Sequence, residues 1–414
     1  MQTLHPIKIY LFTDRYPYGR GETFVENELL GLPAGQTPEI TVVPARRADT
    51  CRELPPGIER CDLLNAAPFP TKAAAVLRAL SSRHLWRLPF SARRPENLRQ
   101  WRNAAGGLYR AYLTRLILSK HRRELSDARV LYAYWLDNTA TGLAMAKDTI
   151  RAFRNIPLVC RAHGYDVFEE QRGVFFPARD FALGRIDRVF PVSRAGTDYL
   201  KKRYPAHAAK IECRHLGVEN APERNATLPA QQESLRFVSC ANVIALKRIG
   251  LILEMLRRYA ETHPGDSLRW THFGDGPLLE ELRKKGAEEA LPANLRIDFA
   301  GAQPNRVILE RYARGEFDVF LSFSLSEGMP VSAIEAMSCG IVPICTDAGG
   351  TCDAVDEHSG ALLPLGFDYA DFEKAMERVR RDYPSLSRAA REKQRKDFCR
   401  QSNYEAFYRE LALL

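Results

Sequence analysis

Short apolar runs alternate with stretches of helical periodicity along the whole chain. In the first half the runs are Ile7 to Thr13, Ile40 to Pro44, Val130 to Trp135, Ile156 to Arg161 and Arg188 to Val192. In the second half they are Arg236 to Ser239, Leu268 to Phe273, Arg296 to Phe299, Phe317 to Phe323 and Ile341 to Cys345. Runs of this length alternating with helices predict doubly wound parallel sheets of the α/β class. The polar, proline-containing segment at 219–234 is the best domain boundary. Two Rossmann-like domains that face each other across a cleft are expected, one over 1–222 and one over 223–395.

The unusual polar residues fall just past the ends of these predicted strands, which is where open α/β sheets bind ligands. In the first half they are Gly19, Gly21 and Glu22 in RYPYGRGETF, Trp135 and Asp137 in AYWLDN, His163, Gly164 and Asp166 in RAHGYD, and Ser193 in PVSR. In the second half they are Asn242 to Arg248 in ANVIALKR, Gly274 to Pro277 in FGDGP, Gly301 in FAGAQ, and the segment SEGMPVSAIEAMSCG. GDGP on its own marks only a tight strand-to-helix turn.

The last segment is the most informative. It reads as a turn at Ser326 to Gly328 followed by a short helix with Pro330 in its first turn. The backbone around Gly328, Met329 and Pro330, at the positive end of that helix, would seat a phosphate or a polar sugar. Glu327 lies at the strand end. Glu335 sits between Ile334 and Ala336 in a mostly apolar helix, where an unpaired charge is costly, so it needs a partner.

Composition narrows the classes. With 414 residues, 45% of them hydrophobic and 27% charged, the chain can bury two cores. Nine scattered cysteines with no C-x-x-C pair and no clustered histidine speak against a disulfide scaffold or a zinc site. The amino terminus lacks the pattern of an export signal and no run of about 18 apolar residues occurs. A cytoplasmic protein is expected. Charge is uneven: residues 71–123 hold thirteen lysines and arginines against Glu96 alone, more excess than the +9 of the whole chain. Within that block, AAAVLRALSSRHLWRLPF reads as a basic amphipathic helix suited to an anionic membrane surface, here the cytoplasmic face of the inner membrane. A solvated helical insertion is the plain alternative. No nucleic-acid-binding module accompanies the basic residues, so nucleic acid is not expected as a partner.

Taken together, the motifs resemble a GT-B glycosyltransferase, specifically the retaining, nucleotide-sugar-dependent enzymes of glycosyltransferase family 4. FVSCANVIALKRIGLILEML, THFGDGPLLEEL, IDFAGAQ, DVFLSFSLSEGMPVSAIEAMSCGIVPICTDAGG and GALL stand in family order and spacing. RYPYGRGETFVENEL, YAYWLD and RAHGYDVFEEQR resemble the branch that builds bacterial surface polysaccharides. The insertion at about 66–125 matches no family motif.

The resemblance implies a nucleotide-sugar donor, a UDP-sugar first and a GDP-sugar second, and a saccharide or lipid-linked saccharide acceptor. Glu335 would hold the ribose hydroxyls and Glu327 would face the donor sugar. Gly328, Met329 and Pro330 would hold sugar hydroxyls or the pyrophosphate, which Lys247 would neutralise. His163 would approach the donor sugar, while Gly19 and Gly21, with Asp166 nearby, would form the acceptor-side loop. Gly301 and its neighbours lie where the base meets backbone groups, and Gly274 is counted among the donor-binding residues. The segment NYEAFYRELALL, within 396–414, resembles the family's last helix, which packs back on the first domain. One position departs from the pattern: Asn242 stands where the family commonly has an arginine on the pyrophosphate, and Arg248 is the substitute at hand. No D-x-D motif is present and no metal is expected. Two alternatives stay open, a GT-B sugar-nucleotide epimerase and a non-catalytic nucleotide-sugar-binding subunit of a polysaccharide assembly complex.

Overall fold

Among the described residues twelve strands form two six-stranded sheets in which every pairing between them is parallel. The computed structural model describes residues 7–19, 21–32, 38–91, 94–221, 235–288 and 291–414. Most of the boundary segment expected at 219–234 therefore lies outside the described residues. The chain divides after His215 and again after Arg400, so that Gln401–Leu414 belongs with the first unit.

The first unit holds β1 (Lys8–Thr13), β2 (Glu39–Pro44), β3 (Ile58–Arg60), β4 (Val130–Ala133), β5 (Leu158–Ala162) and β6 (Arg188–Pro191), in the order β3-β2-β1-β4-β5-β6. The second holds β7 (Leu235–Cys240), β8 (Leu268–Phe273), β9 (Leu295–Gly301), β10 (Val319–Ser322), β11 (Val342–Thr346) and β12 (Ala361–Leu363), in the order β12-β11-β10-β7-β8-β9. Counted within its own unit, each sheet runs 3-2-1-4-5-6. The winding reverses between the first and fourth strands, and there a crevice opens at the carboxyl ends. In the first unit this point lies between β1 and β4, in the second between β7 and β10.

Each of the ten expected runs contains a strand. The central ones are buried on both faces, as parallel strands covered by helices must be. The first core gathers Phe12, Leu131, Leu143, Leu158 and Val189, and the second gathers Phe237, Leu256, Trp270, Leu321, Ile344 and Phe372. Only β3 and β12 have no counterpart in the expected runs; each is three residues long and sits at a sheet edge.

Three helices fill the insertion between β3 and β4: α1 (Phe69–Leu80), α2 (Arg83–Trp86) and α3 (Leu98–Lys120). The single amphipathic helix expected over 73–90 is broken at Ser81 and Ser82, because the Ser82 hydroxyl accepts from the His84 N–H (3.1 Å) and starts a new helix. The last helix, α4 (Arg400–Ala412), buries Tyr404, Phe407, Tyr408 and Leu411. Phe407 packs against Tyr132 and Phe190 of the first sheet, and Tyr408 donates to Glu28 (3.2 Å). Glu28 in turn lies 3.0 Å from Arg161, and neither side chain is exposed to solvent. Tyr132 donates to Glu28 (2.8 Å) and the Arg161 guanidinium lies 4.1 Å from the Phe407 ring centre.

Candidate functional site

At the reversal point of the second sheet, β7 runs into a turn that ends at Lys247, and β10 runs into the turn carrying Glu327. The Lys247 ammonium donates to the Glu327 carboxylate, joining the two strand ends by an ion pair that is only partly exposed. An ammonium carries three donors, so Lys247 keeps capacity for an incoming anion while Glu327 fixes its position. The helix Val331–Ser338 follows, with Pro330 at its cap position, one residue earlier than the expected first-turn place. Among the described residues the backbone N–H groups of Gly328 and Met329 donate to no acceptor, whereas the Glu327 carbonyl is held by the Gly350 N–H (3.1 Å). Free donors, a helix start and a lysine thus converge on one strand end, an arrangement suited to negative charge.

Glu335 lies one turn into the same helix. The partner it requires is the side-chain amide of Asn305, which donates at 3.0 Å. Burial, only partly offset by that hydrogen bond, pushes its carboxyl up to about 7. Asn305 begins the helix Asn305–Ala313 and stands in none of the motifs singled out in the sequence.

One expectation for this unit is not met by the side-chain positions. Arg248 does not stand free to replace the missing arginine. Its backbone takes the left-handed conformation (φ 48), and the guanidinium donates to the carbonyls of Phe323 and Leu365 (2.8 Å to the latter) and rests on the Phe367 ring. Gly274 has a packing role: a β-carbon there would lie 1.8 Å from the Ala241 carbonyl oxygen, so only glycine lets the loops after β7 and β8 pass so closely. Gly301, also at positive φ (+70), has open space where a side chain would begin, and Asn242 is exposed.

In the first unit the reversal point is organised by Glu22. Its carboxylate accepts from the N–H groups of Asp14 (3.1 Å), Arg15 (2.6 Å) and Tyr16 (2.6 Å), and from the indole N–H of Trp135 (2.6 Å). The loop after β1 is thereby tied to the loop after β4. Gly19 closes the same loop at φ +71, its N–H donating to the Thr50 carbonyl (2.8 Å), and Gly21 has open space around it. Trp135 acts as a brace here.

His163 follows β5. Its ring is buried among Phe24, Tyr134 and Trp135, with ring centres 4.6 to 5.5 Å away, and among the described residues neither ring nitrogen has a hydrogen-bond partner. Burial, with the nearby Arg161 charge, holds its pKa well below the usual value, so the ring is neutral at pH 7. Asp166 accepts from the N–H groups of Leu136 (2.6 Å) and His163, using both oxygens. Expected on the acceptor side, Asp166 is therefore spent on positioning His163. Burial pushes its carboxyl up to about 7. Asp137 and Ser193 likewise cap helices, Asp137 through the Thr139 N–H (2.8 Å) and Ser193 through the Gly196 N–H (3.1 Å).

Known proteins resemble this chain in sequence and in fold. Residues 222–397 match the family described as Glycosyl transferases group 1. A phosphatidylinositol N-acetylglucosaminyltransferase component from Arabidopsis thaliana is 24% identical over 210 residues, covering 50% of this chain and 44% of that protein. The amylovoran biosynthesis glycosyltransferase AmsK of Erwinia amylovora is 28% identical over 166 residues, covering 38% of this chain and 39% of that protein. The chain thus spans less than half the length of these two relatives. The crystal structure of Anabaena Alr3699/HepE in complex with UDP and glucose superposes with a TM-score of 0.64 at 13% identity, covering 99% of this chain and 100% of that one. With its two six-stranded parallel sheets the chain has the GT-B fold, and its second unit is the part that resembles the group 1 glycosyl transferases.

Proposed function

We propose that the protein transfers a sugar from a nucleotide-sugar donor to a saccharide acceptor in polysaccharide assembly, with retention of configuration and without a metal. The observation that carries this reading is the Lys247–Glu327 pair beside the free N–H groups of Gly328 and Met329. Breaking the bond between an anomeric carbon and a diphosphate needs charge stabilised on the departing oxygens. Lys247 and the helix start supply that. Glu335, a partly buried acceptor, takes the ribose hydroxyls. Neutral His163 donates a ring N–H to a hydroxyl of the donor sugar. The departing phosphate oxygen takes the acceptor hydroxyl's proton as that hydroxyl attacks from the same face, and Glu327 faces the positive character on the ring. A UDP-sugar is the favoured donor, since the HepE complex contains UDP, and a lipid-linked saccharide is the favoured acceptor.

A second reading, a non-catalytic donor-binding subunit, is favoured by one observation: Asn242 carries no charge and Arg248 is held by the Phe323 and Leu365 carbonyls, which leaves Lys247 as the cation near the turn. Melting temperature measured with UDP, GDP, ADP and CMP and their sugar conjugates tests both. A ligand at 100 times its dissociation constant stabilises by about 2.7 kcal/mol, so UDP and a UDP-sugar are expected to raise the melting temperature in the parent and not in Glu335→Ala. Transfer to oligosaccharide acceptors should fall by about 100-fold or more in Glu327→Ala. Binding without turnover would favour the second reading, and no shift with any nucleotide would sink both.

A further inference from the structure

Helix α1 is built the wrong way round for a helix that serves only its own domain. The face it lays against α3 carries Thr71, Ala75 and Ala79, spaced four apart, and Ala79 packs with Leu108 and Ala111 of α3. Lys120 Nζ donates to Thr71 (2.5 Å) and closes that contact. The large apolar residues point the other way: Val76, Leu77 and Leu80 on α1, Trp86 on α2, and Phe69 and Phe90 at the ends of the strap. Of the twelve large hydrophobic side chains that stand exposed among the described residues, seven lie between Phe69 and Leu98. Phe90 is 90% exposed and Phe69 81%. A surface of this kind marks an interaction site. Trp86 is held in its outward position by a hydrogen bond from its indole N–H to the Leu80 carbonyl (2.7 Å).

Positive charge surrounds this patch. Lys72, Arg78, Arg83 and Arg87 are exposed beside the apolar side chains, and among the described residues none of them reaches a carboxylate. Glu96 is the only acid from 71 to 123. A second copy of this chain would bring the same cations face to face, which electrostatics opposes. Apolar side chains flanked by unpaired cations instead match a surface of negative headgroups over hydrocarbon.

We propose that the strap formed by α1, α2 and the turn at Leu88–Phe90 docks the first unit on an anionic lipid bilayer, with Leu77, Leu80, Trp86 and Phe90 entering the acyl boundary and Arg78, Arg83 and Arg87 meeting the headgroups. The strap is connected to the loop after β4 through α3, against which Ala79 packs. His84 packs on Phe181 (5.0 Å between ring centres), and a β-carbon on Gly107 of α3 would meet Asn138, the residue after Asp137. A saccharide anchored in the bilayer would therefore be presented near β4 and β5. The last point rests on the proposed transfer reaction, but the docking does not.

Cosedimentation of the full chain with vesicles tests the docking without nucleotide or acceptor. The protein is expected to pellet with phosphatidylcholine vesicles containing about 30% phosphatidylglycerol, and to be released by high salt, as screened attraction requires. The variant Leu77→Ser/Trp86→Ser/Phe90→Ser should melt like the parent yet lose most binding. The variant Arg78→Gln/Arg83→Gln/Arg87→Gln should bind on the order of 100-fold more weakly, given the size of each basic residue's attraction to such a surface. Equal binding to neutral vesicles, no binding, or unaltered binding by the apolar triple variant overturns the proposal. So does a dimer in solution that the apolar triple variant dissolves.

Discussion

The two units share a strand order and a reversal point yet use their polar residues in opposite ways. At the end of β1 and β4 nearly every polar group is consumed internally. Glu22 gathers three backbone N–H groups and an indole, Asp166 takes two more N–H groups, and Asp137 and Ser193 cap helices. At the end of β7 and β10 the donors of Gly328 and Met329 stay unspent, and the cation is held by a single carboxylate. The same topology can thus yield a rigid platform or a receptive site. Which one results depends on whether the loop carboxylates meet backbone donors from their own loops or a lysine from the neighbouring strand. In the first unit the exception is His163, whose buried ring nitrogens find no partner among the described residues and which is held in place by the satisfied groups around it.

Removing a support from the first unit should have the largest effect. Glu28→Ala leaves Arg161 buried without its counter-charge, and breaking such a pair costs about 3–5 kcal/mol. A melting curve should show that loss, while the nucleotide-induced shift of the second unit persists at lower temperature. If stability hardly changes, the buried network is not what holds the platform together.

Glu22→Ala is the next test. Four donors lose their acceptor at once, but Glu22 is only partly buried, so water can take its place and the cost in stability is smaller than for the Glu28–Arg161 pair. Transfer is expected to fall at least tenfold with nucleotide affinity unchanged, read as kcat against the dissociation constant. A parallel loss of nucleotide affinity would mean the two ends are not separable.

The smallest effect belongs to Glu335→Gln and works through pH. The Glu335 carboxyl, pushed up to about 7 in the folded chain, binds its proton more tightly there than when unfolded. Its contribution to stability is therefore fully present below the ordinary value of 4.5 and is lost as pH rises through 7. Glutamine cannot ionise. At pH 8 the variant should be more stable than the parent, with the difference vanishing near pH 4.5, while its nucleotide affinity falls. Parallel melting profiles across that range would show that Glu335 does not titrate there.

How far the sequence reaches can be judged from particular residues. Ten strands were legible because burial on both faces leaves continuous apolar runs. Three-residue edge strands such as Ile58–Arg60 leave no period to read. Glu327 and Lys247 were legible from motif position, but their pairing was not, since it joins loops from two strands through the reversal of the sheet. The Arg248 expectation failed on a backbone angle: a positive φ turns its side chain toward the Phe323 and Leu365 carbonyls. Glu22 was noticed only as polar because its partners are mostly main-chain N–H groups, which every residue carries. Asn305 was missed altogether, because a lone amide at a helix start carries no signal until the carboxylate it serves has been located.

The placement of α4 sets an order of events during synthesis. Residues 216–400 form one compact unit, so that unit can close without waiting for the residues that follow it. The first unit has been made earlier but lacks Tyr404, Phe407 and Tyr408, the side chains that cover Tyr132, Phe190 and the Glu28–Arg161 pair. Its final closure joins segments separated by an entire intervening domain, a contact of very long sequence separation and hence slow to form. The half of the protein made first is therefore completed last, and until then it shows the cell an uncovered ionic core.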